Sequence, residues 1–381
     1  MCQSSVKKVL SAIRDYFVHV DKLLLFLCLL ASFYGLALIY SATYSYNTAQ
    51  YVDTQFTAVC LGTVGYLAVA AFDMRRVARF YVPLFLLNLL LLGSLYFWGV
   101  GEGNRSWIRF GGFGIQPAEI GKIIFIVSFA GHLTHCREKG LRVVDTLALI
   151  AHAGVVCLFV MSFSRDDGMT LAFLFIALFM AFASGVRFSW FLAGGTALVA
   201  SMPLIWTFVF DKYQRERILA VFEPEKYPNT AYQAMQTANA ISSGGLTGKG
   251  FLQGTQTQYS LIPTKHTDSI IAVAGEELGF LGCAAVLLLL ALIIARCIAT
   301  AMRARDGASG LIAAGIAGML IFQTVLNIGM NIGVLPVVGL TLPFFSYGGT
   351  SVVTMYAAMG VAAGIRRAAR MEKQKYTSGG G

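Results

Sequence analysis

Ten mostly apolar runs, each long enough or nearly so to cross a hydrocarbon layer as a helix of roughly 17 to 25 residues, dominate this chain of 381 residues. They lie at about 23–42, 55–72, 80–98, 119–135, 146–163, 169–184, 189–210, 278–300, 310–332 and 347–365. Hydrocarbon offers no partner to a peptide N–H or C=O, so such runs cross a bilayer only as helices. The chain is therefore read as all-α, a polytopic integral membrane protein with about ten transmembrane helices. Its 57% hydrophobic and 13% charged residues, with a mean hydropathy of +0.68, exclude a soluble domain of this length. The run 119–135 departs most from the pattern, because Glu119 and Lys122 sit in its first turn.

Lysine and arginine number 29 against 19 acids. The basic residues come in short clusters between apolar runs, with no basic stripe interleaved with stacking aromatics. The expected partner surface is lipid headgroups, not nucleic acid. With the N-terminus in the cytoplasm, the inside segments hold 19 of the 29 basic residues, as the positive-inside rule requires. Both termini are then cytoplasmic: a segment 1–22, a single ten-helix membrane domain 23–365, and a basic tail 366–381. Extracytoplasmic loops are expected at about 99–118, 164–168, 211–277 and 333–346, the long one between helices 7 and 8. The first apolar run exceeds a signal-peptide core and no cleavage pattern follows it, so it is expected to stay attached. The cysteines at 2, 28, 60, 136, 157, 283 and 297 fall mostly inside apolar runs and read as packing residues, without a disulfide framework. His132 and His135 are spaced to share a helix face, but no acid or cysteine joins them in a ligand set, and no metal ligand is assigned.

The groups able to do chemistry collect at the outer loops. The stretch Gln256–Gly279 brings Asp268, Glu276 and Glu277 to a membrane boundary, where a carboxylate must have a partner or a task to offset lost hydration. For Glu276 and Glu277 helix capping is the equal alternative. Ser243 to Gly250 lacks the first glycine of a nucleotide-binding P-loop, and a glycine follows Lys249 where Ser or Thr is required. It is either a turn or a donor-rich loop that brings Lys249 to a phosphate. Arg215 and Arg217 either anchor to headgroups or grip an anionic, lipid-linked substrate. Glu119 and Lys122 are either an i,i+3 pair worth about 0.2–0.5 kcal/mol at an exposed site or, at membrane depth, part of the site with Lys122 reaching a phosphate. Trp107, between Arg105 and Arg109, is a belt residue or a stacking face for a sugar. Asn327, Asn331 and the Ser346–Gly349 turn suit helix packing or a cavity wall.

Five segments in order, SWIRFGGFGIQPAEIGK from Ser106, YQRERIL from Tyr213, AISSGGLTGKGFLQGTQTQ from Ala240, IPTKHTDSIIAVAGEELGFLG from Ile262 and NIGMNIGVLPVVGLTLPFFSYGGTS from Asn327, resemble the SEDS proteins (shape, elongation, division and sporulation). These are peptidoglycan glycosyltransferases of the RodA and FtsW type, and the GTQTQ ending resembles the RodA, elongation branch. The resemblance implies a polymerase that joins lipid II disaccharides by β-1,4 bonds and releases undecaprenyl pyrophosphate at the outer face of the bacterial plasma membrane. Asp268, in His266-Thr-Asp-Ser269, falls on the family's catalytic aspartate. Trp107, Glu119 and Lys122 fall on other functional positions, and Arg215, Arg217, Lys249 and His266 complete the substrate-binding set. One carboxylate suffices as general base for a sugar hydroxyl, while the leaving pyrophosphate needs cations, with Mg or Mn as a candidate helper. Attack opposite the leaving group inverts the anomeric centre. The implied partner is a class B penicillin-binding protein, a transpeptidase. A lipid II flippase and a non-catalytic scaffold for a transpeptidase are the alternatives. The chain departs from the family pattern at Arg165-Asp-Asp-Gly-Met-Thr170, where Pro-Asp-x-Gly-Thr is usual, at Thr264 in place of Glu, and at Ser269 in place of an aromatic.

Overall fold

In a computed structural model, which describes residues 18–46, 48–101, 104–110, 113–304 and 306–378, each apolar run coincides with a helix. These are α1 (Lys22–Thr43), α2 (Thr48–Val69), α4 (Tyr81–Trp98), α5 (Pro117–Glu138), α6 (Val143–Phe159), α7 (Asp167–Ala183), α8 (Phe188–Leu204), α12 (Ile270–Arg303), α13 (Gly307–Asn331) and α14 (Gly349–Ser378), with the short α3 (Met74–Ala78) between α2 and α4. Seven of the ten are long and apolar enough to cross a membrane, α6 and α8 counted with the π-helical turns that extend them to Ser164 and Val209. The others are α5, whose first turn holds Glu119, α7, with 17 residues, and α14. Residues 1–17, most of the expected N-terminal segment, lie outside the described residues, as do Arg305 and Gly379–Gly381. The tail expected from 366 continues α14 as helix to Ser378.

Burial follows composition. Helix α13 is apolar on every side and buried continuously from Leu311 to Leu320, as a central helix must be. Tyr66 of α2 and Tyr356 of α14 fill the space between their helices, both fully buried. At the end of the bundle where α1 begins, Asp21 caps α1 and is buried between two arginines, with Arg296 at 2.7 Å and Arg366 at 3.4 Å, while the Tyr66 hydroxyl donates to its carbonyl at 2.7 Å. One carboxylate thus joins α1, α12 and α14. Helix α8 has no buried residue.

The long polar segment is folded. It contains α9 (Lys212–Phe222), α10 (Pro228–Ser243) and α11 (Thr255–Gln258), and it is spliced into α12. At Gly279 (φ 68°, ψ −160°) the backbone of α12 leaves the helical region. Residues 245–250 enter that break: Phe280 N–H donates to the Gly245 carbonyl at 2.9 Å, and the Lys249 and Gly250 amides donate to the Glu276 and Glu277 carbonyls at 3.0 Å. The loop replaces the bonds that the broken helix loses, as backbone groups at membrane depth require. Gly248 and Gly279 sit so close that a side chain on either would meet the other segment's backbone, and both have positive φ.

The two glutamates complete the splice. Glu276 accepts from Lys249 Nζ, the Gln256 and Thr257 amides and the Thr257 hydroxyl, all at 2.8 Å. Glu277 accepts from Ser41 Oγ at 2.6 Å, Gln258 Nε2 at 3.0 Å and the Leu252 amide at 3.1 Å. Both are fully buried, and Glu276, which takes the Gln256 and Thr257 amides, caps the start of α11.

Candidate active site

Asp268 lies in the turn between α11 and α12, and its placement begins with its backbone. Its carbonyl accepts from Asn327 Nδ2 and Asn331 Nδ2, both at 2.8 Å. These asparagines are one helical turn apart on α13, so both amides point the same way. The residues before Asp268 are anchored too: Tyr347 N–H donates to the His266 carbonyl at 2.8 Å, and Ser346 Oγ donates to the Thr267 carbonyl at 2.6 Å. Among the described residues no hydrogen bond or ion pair reaches the Asp268 carboxylate. Asp268 is crowded by protein yet still reached by solvent, and burial together with nearby Asp166 pushes its pKa up to about 6.

Asp166, in the turn 165–170, is the second acid of the site and stands where the pattern Pro-Asp-x-Gly-Thr has its aspartate. It caps α7 by accepting from the Met169 amide at 2.9 Å, while its other oxygen accepts from Ser106 Oγ at 3.2 Å and Gln116 Nε2 at 3.4 Å. Burial raises its pKa, and Asp167 and Glu119 add to the rise. Neighbouring Asp167 accepts from Gln214 Nε2 at 2.8 Å. Sequence reasoning assigned Asp166 no role because the turn around it departs from the family pattern; the signal it did carry is that of an acid placed just before an apolar run.

Trp107 follows Ser106 in a hairpin of β1 (Ile108–Phe110) and β2 (Phe113–Ile115), antiparallel with Ile108 opposite Ile115. Its ring lies against Gly114, whose carbonyl accepts from Thr350 Oγ1 at 2.7 Å at the start of α14. Glu119 and Lys122 form an ion pair at 3.1 Å with neither side chain exposed, and Thr354 Oγ1 donates to Glu119 at 3.3 Å. Ser106 and Gln116 thus bring the Trp107 hairpin and the head of α5 to Asp166, and Asp166 links them electrostatically to Asp268.

The other expected site residues have different neighbours. His266 faces Tyr46, whose hydroxyl lies 3.1 Å from its Nδ1, and rings of Tyr51 and Tyr347 close around it. Burial and adjacent Lys265 lower its pKa, so the ring is neutral at pH 7. Arg215 donates to the Phe210 carbonyl at 2.8 Å and caps the end of the α8 segment. Lys249 is committed to Glu276 and to Thr255 Oγ1. Arg217 stacks over Tyr213 at 4.3 Å and lines a cleft of about 470 Å³ between α9, α10 and residues 333–337. That cleft does not contain Asp268 but shares walls with its turn through Gln233 and Pro263. Among the described residues no three His, Cys, Asp or Glu side chains converge as metal ligands.

Known proteins carry the same arrangement of sequence. A family model for FtsW, RodA and SpoVE, described as "Cell cycle protein", matches residues 21–371. A relative from Geobacter metallireducens, named "Probable peptidoglycan glycosyltransferase FtsW", is 32% identical over 352 residues, covering 90% of this chain and 93% of its own length. The "Peptidoglycan glycosyltransferase MrdB" of Escherichia coli is 32% identical over 360 residues, with 93% and 95% covered. Among solved structures, a chain described under "Structural coordination of polymerization and crosslinking by a peptidoglycan synthase complex" superposes with a TM-score of 0.79 at 29% identity, covering 92% of this chain and 98% of its own. The rod shape determining protein RodA of Thermus thermophilus superposes with a TM-score of 0.68 at 28% identity over 91% of this chain and 97% of its own.

Proposed function

The chain belongs to the FtsW/RodA/SpoVE family, and on that premise we propose that it is a peptidoglycan glycosyltransferase whose general base is Asp268. It is a multi-pass membrane protein, and its site faces outward with both termini in the cytoplasm. The substrate is lipid II, and each turnover joins two disaccharides by a β-1,4 bond.

The observation that carries the assignment is an acid held rigidly by its backbone whose carboxylate is left free. Asn327 and Asn331 fix the Asp268 carbonyl, while its oxygens keep their lone pairs for a substrate hydroxyl. A pKa of about 6 leaves it ionised at neutral pH yet a better base than an ordinary aspartate. In the step, the 4-hydroxyl oxygen of one disaccharide bonds to the anomeric carbon of another, the bond from that carbon to pyrophosphate breaks, and Asp268 takes the hydroxyl proton. Attack opposite the leaving group inverts the centre.

The substrate-binding set is Trp107, Glu119, Lys122, Arg215, Arg217, Lys249 and His266, with unequal shares. Trp107 offers a ring to a sugar at the edge of the acidic site. Lys122 and Lys249 balance buried carboxylates, and Arg215 caps a helix segment, so these three act by holding the site's frame. Arg217, half-exposed over Tyr213, keeps donors for phosphate or carboxylate oxygens. A divalent ion, Mg or Mn, would take its oxygen ligands mainly from the pyrophosphate, because among the described residues no three His, Cys, Asp or Glu side chains converge. The partner is a class B penicillin-binding protein that cross-links the strand, and the GTQTQ ending supports the elongation branch.

Purified protein given labelled lipid II, with and without such a partner, is expected to make glycan strands and to release undecaprenyl pyrophosphate. Failure to do either with the partner present would contradict the assignment.

A further inference from the structure

The turn that carries Asp268 is held from a second side by groups the chemistry above does not use. Gln233 of α10 donates from Nε2 to Thr264 Oγ1 at 3.1 Å and to Ser269 Oγ at 3.3 Å, and the two hydroxyls lie 3.4 Å apart. Thr264 and Ser269 bracket the turn, and both are positions where this chain departs from the pattern of the family it resembles. Thr264 has φ 49°, a left-handed backbone that a β-branched residue adopts only where its surroundings hold it. Its carbonyl closes the turn by accepting from the Thr267 amide at 3.0 Å and the Ser269 amide at 3.2 Å. Ser269 is fully buried. The latching group is a neutral amide. A lysine or arginine in its place would pair with Asp268 and occupy the lone pairs that a base needs.

We propose that Gln233 is a positioning residue, whose amide latches the turn Thr264–Ser269 so that the Asp268 carboxylate stays beside Asp166 and available to the substrate hydroxyl. The catalytic half of this rests on the polymerase reading; the structural half does not. Asn327 and Asn331 fix Asp268 at its own carbonyl, and Gln233 fixes the two ends of the turn, so the acid is held at both levels. The charged and titratable groups around the turn are Asp166, Lys265 and His266, and Gln233→Leu changes none of them.

The test uses the full chain with Gln233→Leu and two readouts. In hydrogen exchange, the Thr267 and Ser269 amides are expected to exchange roughly tenfold faster while α13 is unchanged. In strand synthesis with the partner protein, kcat is expected to fall roughly tenfold to a hundredfold with KM within about twofold. The acid limb of the pH profile should move below its wild-type position, because a loosened carboxylate gains water. In a Thr264→Gly/Ser269→Ala background, which lacks both acceptors, Gln233→Leu should add less than about twofold on either readout. Unchanged exchange at the turn, exchange accelerated equally through α13 with an unmoved acid limb, or an undiminished effect in that background would each overturn the proposal. If wild type makes no strands, the polymerase reading fails, and the exchange measurements in both backgrounds still decide the latch.

Discussion

At the scale of single residues the site shows how a membrane-edge carboxylate is kept. Asp268 has no cation beside it among the described residues; its pKa is raised to about 6 by burial and Asp166, so its charge is a cost the fold bears. The folded-state value lies above that of the unfolded chain, so the penalty is fully present above about pH 6 and is lost as pH falls toward the unfolded value near 4. Asp268→Asn should therefore raise the melting temperature in detergent at pH 7.5, with the gain disappearing by about pH 4. A melting temperature lowered at pH 7.5 would show that the carboxylate stabilises the fold. Sequence alone pointed to Asp268, because an acid at a membrane boundary calls for an explanation. It could not separate Lys249 as a phosphate ligand from Lys249 as the counter-ion of Glu276, since that pairing spans 27 positions in sequence.

At the scale of elements, the helix break at Gly279 is the feature on which the outer segment depends. The run from Ser243 to Gly250 failed as a P-loop by its spacing; its glycines let residues 245–250 enter α12 and complete that helix's hydrogen bonds. Gly279→Ala would place a side chain against the Gly248 backbone at a positive φ, and should destabilise the protein by at least about 2 kcal/mol, read from thermal melting. An unchanged melting temperature would mean that the loop is not seated in the break. The ten helices were legible because apolar length is a local property. The splice was not, because periodicity carries no sign of a loop that joins a helix from outside. The same limit applies to α9, α10 and α11, whose polar sequence read only as a long loop.

At the scale of the whole molecule, the bundle keeps charge clusters at opposite ends for different purposes. Asp21, Arg296 and Arg366 tie three helices together far from the turn of Asp268. Asp21→Asn leaves one buried and one partly buried guanidinium group short of their counter-ion and should cost on the order of 3 kcal/mol, while the folded fraction keeps its wild-type turnover. Reduced turnover per folded molecule would show that the two ends are coupled. The other end gathers Asp268, Asp166 and the Glu119–Lys122 pair around open lone pairs, as a transferase needs for a hydroxyl nucleophile. The most direct test of that account is the initial rate of glycan-strand formation from labelled lipid II, with the partner protein, for wild type and Asp268→Asn between pH 5 and 8. Strands are expected from wild type, with kcat/KM falling on the acid side around a midpoint near pH 6, and none from Asp268→Asn at any pH. Strand formation by Asp268→Asn at the wild-type rate would contradict the assignment of Asp268 as general base.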